Sequence, residues 1–121
     1  MVKAKAKKAY YKVEQNQPSI DLFEQFIKEC QAANIDLYMV YSPEYIEGQE
    51  FILNKGEVVE QFKKFSQQYN IPYLDYTKDS LCYDTKYFYN SMHMNSLGAD
   101  EFTKKLMHDM KTQFPQLVKA N

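Results

Sequence analysis

The stretch Tyr87-Phe88-Tyr89-Asn90-Ser91-Met92-His93-Met94-Asn95-Ser96-Leu97-Gly98-Ala99 holds the side chains best suited to chemistry. Histidine is the side chain whose unperturbed pKa lets it take up and return a proton near neutral pH. A base of that kind acts on a hydroxyl or a water within hydrogen-bond reach. Asn90, three residues before His93, carries an amide that can orient the ring, and Ser91, two residues before it, carries a hydroxyl. Asp79 and Asp84 belong to the same loop and could orient the imidazole in place of Asn90. Asn95 or Ser96 can cap a helix behind the histidine and hold the loop still. Gly98 lets that helix approach a neighbour closely.

Other constellations are weaker. Ser42 follows a strand, as a nucleophile can, but Pro43 comes next and no Gly-x-Ser-x-Gly elbow is present. Glu44 and Glu47 sit beyond one strand, Asp75 and Asp79 beyond another; acidic loop residues are ordinarily solvated and are read so here. His93 and His108 are too far apart for a zinc motif, and Cys30 and Cys82 form no ligand pair. There is no glycine-rich phosphate loop, so neither a metal nor a cofactor is expected.

Three helices and two strands must position the loop. Ser19 reads as the N-cap of a first helix, whose apolar positions are Ile20, Phe23, Phe26, Ile27, Cys30 and Ala33. Cys30 on that face reads as a buried thiol, and a bridge to Cys82 in its loop is not legible. Asn34 supplies a left-handed stop, after which residues 35–41 read as a buried parallel strand. Residues 43–55 read as a loop, and a second helix runs over 56–69 with Val58, Val59, Phe62, Phe65 and Tyr69 inward. Asn70 ends it, and 71–76 form the second strand, with Pro72 confined to its start. The loop 77–95 leads to a last helix over 96–114, striped by Leu97, Phe102, Leu106, Met110 and Phe114. Residues 1–18 read as a basic and polar tail with a short extended piece at Tyr10–Val13, and 115–121 as a second tail.

Strand, helix, strand in this order implies a parallel pair. Two strands make a poor sheet alone, so a second copy of the chain or a preceding segment is expected to complete it. The 121 residues suit one domain. With 15 basic and 16 acidic residues the net charge is −1, which gives no pull toward nucleic acid. No apolar run nears the roughly 20 residues that span a bilayer. The basic start lacks the apolar region of an intact signal peptide. Tyrosine is abundant, and Tyr73, Tyr76, Tyr83, Tyr87 and Tyr89 crowd into one stretch. Such rings suit half-buried surfaces and ligand walls.

The pattern His-Met-Asn-x-x-Gly-Ala at residues 93–99, with a polar residue three before the histidine, resembles the last sequence block of the SGNH/GDSL superfamily of hydrolases and acyltransferases. There the usual form is Asp-x-x-His, then a small or apolar residue, Asn, and a Gly opening the final helix. The two strands resemble that family's last two, so the resemblance spans residues 19–114. It implies an α/β fold, the C-terminal part of a three-layer α/β/α, flavodoxin-like domain. It implies a general-base role for His93, with Asn90 where the family has its triad aspartate. It also implies an acylated carbohydrate or lipid as substrate, and a cell-envelope or secreted setting like that of many relatives.

Two features depart from the family. No Gly-Asp-Ser nucleophile motif occurs, nor do the oxyanion-hole residues that come from earlier blocks. Asn90 is an amide: it can orient an imidazole, but it adds no negative charge, and its two ends leave the tautomer open. The sequence therefore suggests a module that supplies a catalytic-type histidine and is inactive alone. The alternative is a non-catalytic ligand-binding or interaction module using the Tyr-rich loop.

Overall fold

The computed structural model describes residue 10 and residues 12–115; the basic stretch before Tyr10 and residues 116–121 lie outside them. The element order is α1 (Gln17–Ala32), β1 (Met39–Tyr41), α2 (Ile46–Gln49), α3 (Lys55–Tyr69), β2 (Tyr73–Asp75), two 3-10 turns (Ser80–Tyr83 and Thr85–Tyr87) and α4 (Ser96–Gln113). The fold is mixed α/β.

Helix ends follow from the local chemistry of asparagine. Asn16, not Ser19, caps α1: its side-chain oxygen accepts from the Ser19 N–H at 3.2 Å. The helix thus begins inside the stretch expected to be tail. Pro18 sits in the first turn, where a missing N–H costs nothing. At the other end, Asn34 takes φ 59°, and Asn70 after α3 takes φ 53°. Both occupy the left-handed region that asparagine tolerates better than most side chains. Each turn is closed by the isoleucine that follows, Ile35 N–H to the Cys30 carbonyl at 2.9 Å and Ile71 N–H to the Ser66 carbonyl at 3.0 Å.

The strands are parallel, in the register Met39 to Tyr73, Val40 to Leu74 and Tyr41 to Asp75. They are shorter than the apolar runs suggested: residues 35–38 precede the ladder, and Pro72 joins only through its carbonyl, which accepts from the Met39 N–H at 2.8 Å. Of the expected extended piece at Tyr10–Val13, the described residues Tyr10, Lys12 and Val13 form no strand; Val13 is instead held by Asn54, which accepts from its N–H at 2.7 Å and donates to its carbonyl at 2.8 Å. The loop expected over 43–55 contains α2 and the buried Phe51 and Ile52.

Alternation along the strands sorts the packing. Met39 lies against the core formed by Ile27 of α1, Phe65 of α3 and Ile71, with Leu37 and Tyr69 beside them. Burying each such aliphatic or aromatic group contributes about 1.5–3 kcal/mol. Residues of the other parity meet α4: the Tyr38 ring is 5.8 Å from Phe114, and Tyr76 is 5.0 Å from Phe102. The Tyr76 hydroxyl also donates to Asp109 at 2.7 Å. Not every stripe residue is inward, since Phe26 and Leu97 are exposed. Cys30 and Cys82 are both free thiols and both buried.

Met39 and Tyr41 bond to β2, so the main-chain groups of Val40 point to the open edge of β1. Beside that edge runs an apolar groove of about 480 Å³ lined by Phe23, Val58, Phe62 and Tyr73. The Tyr73 hydroxyl is buried there without a hydrogen-bond partner among the described residues. Burial, with Asp75 nearby, pushes its pKa up to about 12. An orphaned buried hydroxyl weakens a fold, and removing it together with its demand for a partner can be neutral or favourable. Tyr73→Phe is therefore expected to leave urea stability unchanged or raise it by about 1 kcal/mol. A clear loss would mean that the hydroxyl is satisfied in solution.

Candidate functional site

The site is assembled beyond the carboxyl ends of β1 and β2, where open α/β sheets present ligand sites. After β2 the chain turns through a series of aspartate caps. Asp75 accepts from the Thr77 N–H at 2.8 Å, Asp79 from the Leu81 N–H at 3.0 Å, and Asp84 from the Lys86 N–H at 3.0 Å. The Asp79 carboxylate also pairs with Lys105 of α4 at 2.7 Å. Burial opposes its ionisation, but the Leu81 N–H and the Lys105 ammonium outweigh that and hold the carboxyl below its usual range. Cys82 packs beneath, its thiol donating to the Tyr76 carbonyl at 3.1 Å, and burial pushes its pKa up.

The chain then doubles back on itself. An antiparallel bridge joins Phe88 to Met94, and the Tyr89 N–H donates to the His93 carbonyl at 2.8 Å. The base of this loop is fastened to α4 by Asn95, whose side chain accepts from the Gly98 N–H at 2.9 Å and donates to the Lys86 carbonyl at 2.8 Å. Gly98 is buried against the Tyr87 carbonyl, and a Cβ there would overlap that oxygen. His93 stands exposed at the tip.

One oxygen organises the tip. Asn90 Oδ1 accepts from the Met92 N–H at 2.9 Å and the His93 N–H at 2.9 Å, and lies 2.9 Å from His93 Nδ1. The two backbone donors fix which end of the amide faces the loop, because an amide nitrogen there would meet two N–H groups. An oxygen in that place makes Nδ1 the protonated nitrogen of the neutral ring. Nε2 is left with its lone pair and no hydrogen-bond partner among the described residues, which is the tautomer a general base needs. Asn90 thus does for the tautomer what a triad aspartate does.

The structure brings Asn90 and His93 together, and Ser91 lies between them. The Ser91 carbonyl packs on Gly48 of α2, and no hydrogen bond joins its hydroxyl to the His93 ring among the described residues. Asp79 and Asp84 cap the 3-10 turns and pair with Lys105 and Lys86. Of the clustered tyrosines, Tyr83 and Tyr89 are exposed, whereas Tyr76 is in the core and Tyr73 in the groove.

Glu44, read from the sequence as a solvated loop carboxylate, is half-buried. It follows the buried Pro43 at the end of β1 and accepts from the Tyr41 hydroxyl at 3.3 Å. Its carbonyl is held by Gln49 Nε2 at 2.8 Å, and the same amide nitrogen reaches the Thr77 carbonyl at 2.7 Å. Lys55 donates to Gln49 Oε1 at 2.6 Å. Burial pushes the Glu44 carboxyl above its usual range, while Tyr41, Lys55 and His93 pull it back. The sequence signal was slight: a carboxylate just past a strand end. Among the described residues no group of histidine, cysteine and acidic side chains is arranged to hold a metal ion. No helix among them is long and apolar enough to cross a membrane. Compared with protein-family models, curated proteins and solved structures, the chain matches none.

Two outcomes follow from this geometry. Gly48→Ala puts a Cβ into the Ser91 carbonyl and is expected to destabilise the chain by about 1–3 kcal/mol, with the largest amide shifts at residues 90–93, read by denaturation and NMR. Shifts confined to α2 would contradict it. A carboxyl whose folded pKa is depressed contributes stability above its unfolded value and loses that contribution as the pH falls through the folded value. Asp79→Asn should therefore be less stable than wild type at neutral pH, with the gap closing well below pH 3.8. A gap independent of pH would show that charge is not what Asp79 contributes.

Proposed function

We propose that this chain supplies the histidine-bearing C-terminal part of an SGNH-like ester hydrolase or O-acyltransferase, and that it is inactive by itself. The observation that carries the reading is the Asn90–His93 pair, three residues apart, with Nδ1 tied to Asn90 and Nε2 without a hydrogen-bond partner among the described residues, immediately before a capped helix. The parallel pair with α1 and α3 on one parity and α4 on the other supports an incomplete three-layer domain.

In this mechanism a serine from outside the described site attacks the carbonyl of an acylated carbohydrate or lipid. The new bond is Oγ–C, and the hydroxyl proton passes to His93 Nε2. Donors at an oxyanion hole, also from outside this site, hold the negative oxygen. The ester C–O bond then breaks, and His93 returns the proton to the departing alcohol. Water or a second alcohol repeats the sequence on the acyl-enzyme, with His93 again taking and returning one proton. Asn90 keeps the ring in the base tautomer throughout.

The test is intact-mass spectrometry after fluorophosphonate treatment. It is run on this chain and on the chain extended to the start of its open reading frame, each as wild type and as His93→Ala. The expected result is one adduct on a serine preceding these residues, lost or slowed by about 10⁶-fold in His93→Ala. An adduct on the 121-residue chain that depends on His93 would place the nucleophile inside it. No His93-dependent adduct in either form would leave the non-catalytic reading, with Tyr83 and Tyr89 as its exposed rings.

A further inference from the structure

We propose that Glu44 is the counter-charge of the His93 imidazolium, so that the two tasks of a single triad aspartate are divided here between Asn90 and Glu44. The inference rests on the reading of His93 as the base of an acyl-transfer site and assigns a positioning residue to that site. A protonated ring needs a nearby negative charge, and an amide offers none. Asn90 sets the ring's orientation and tautomer through Oδ1. The charge must come from another element.

The fold delivers one. Gly48 of α2 lies directly against the Ser91 carbonyl, and the Tyr45 ring is 5.7 Å from Phe88. These contacts press residues 44–49 against residues 88–91, the first half of the loop that carries His93. Within that segment the Glu44 backbone is fixed by Gln49, which also grips the Thr77 carbonyl beyond β2. The Glu44 side chain is held by the Tyr41 hydroxyl. Glu44 is thus tied to both strand ends and seated beside the histidine loop. The charged and titratable groups that act on its carboxyl are Tyr41 from β1, Lys55 from α3 and His93 from the loop, and the Cys82 thiol from the first 3-10 turn meets its backbone. Half-burial makes such an attraction stronger than it is between solvated side chains. Lys55 competes for the same carboxylate, but its ammonium is bonded to Gln49 Oε1. The Gly48 contact explains why the segment can come so near: any larger residue would hold α2 off the loop.

The experiment is a pair of NMR titrations on this chain. The Glu44 carboxyl carbon is followed in wild type, His93→Gln and Lys55→Met, and the His93 ring in wild type and Glu44→Gln. Opposite charges favour each other's ionised forms, so removing the imidazolium should raise the Glu44 midpoint, and removing the carboxylate should lower the His93 midpoint by the same amount. Lys55→Met should raise the Glu44 midpoint as well, which shows that the probe responds. If Glu44 moves with Lys55→Met but not with His93→Gln, the inference is overturned. If His93→Gln does not fold, an unmoved His93 midpoint in Glu44→Gln, an isosteric change that keeps an acceptor for Tyr41, overturns it equally. Neither titration needs a nucleophile. A missing fluorophosphonate adduct would therefore end the acyl-transfer reading without touching the coupling, and a missing coupling would end the inference alone.

Discussion

The oxygen of the Asn90 amide is the constraint on which the site depends. It takes two backbone N–H groups and faces one ring nitrogen. A carboxylate could fill the same place with charge added; a methyl or hydroxyl could not satisfy three donors. The loop from Phe88 to Met94 closes around this atom, and the ring that projects from it has one nitrogen committed and one open. The tautomer of the His93 ring is thus set by a turn motif, the short-range bonding of an asparagine to the backbone just after it.

Behind the loop, the same economy of short polar side chains recurs. Asn16 starts a helix, Asn95 starts another, Asn34 and Asn70 stop helices, and Asn54 grips the segment before α1. Asp75 at the end of β2, and Asp79 and Asp84 in the long loop, do equivalent work. The buried cluster of Ile27, Phe65 and Ile71 holds α1 and α3 to the sheet, and these caps define where elements begin and end.

Much of this was legible. The helical stripes located α1, α3 and α4, and the Asn-Ile junctions marked the two stops, because a left-handed residue followed by a closing N–H is a local event. The start of α1 was misplaced because Asn16 and Ser19 are both good caps, and only the bond geometry shows which one accepts. The strands were overextended because an apolar run does not by itself make a ladder: Leu37 and Tyr38 pack without joining it, and Ile35 is exposed. In the site, Asn90 and His93 lie three apart in sequence and were found. Glu44 lies far from them along the chain, and its place depends on Gly48 meeting Ser91, a contact no spacing rule encodes.

The parallel pairing of β1 and β2 has a kinetic side. A hairpin zips from its turn, but this pair has no turn to start from. Its first partners, Met39 and Tyr73, are 73 − 39 = 34 residues apart, and α3 spans much of that distance. The rungs can close only once the helix has shortened the connection, since joining distant segments has an entropic cost that local contacts avoid. Glu44 hangs from the end of one strand and the histidine loop from the end of the other. The two halves of the site therefore meet only through this long-range pairing, and not through any local turn.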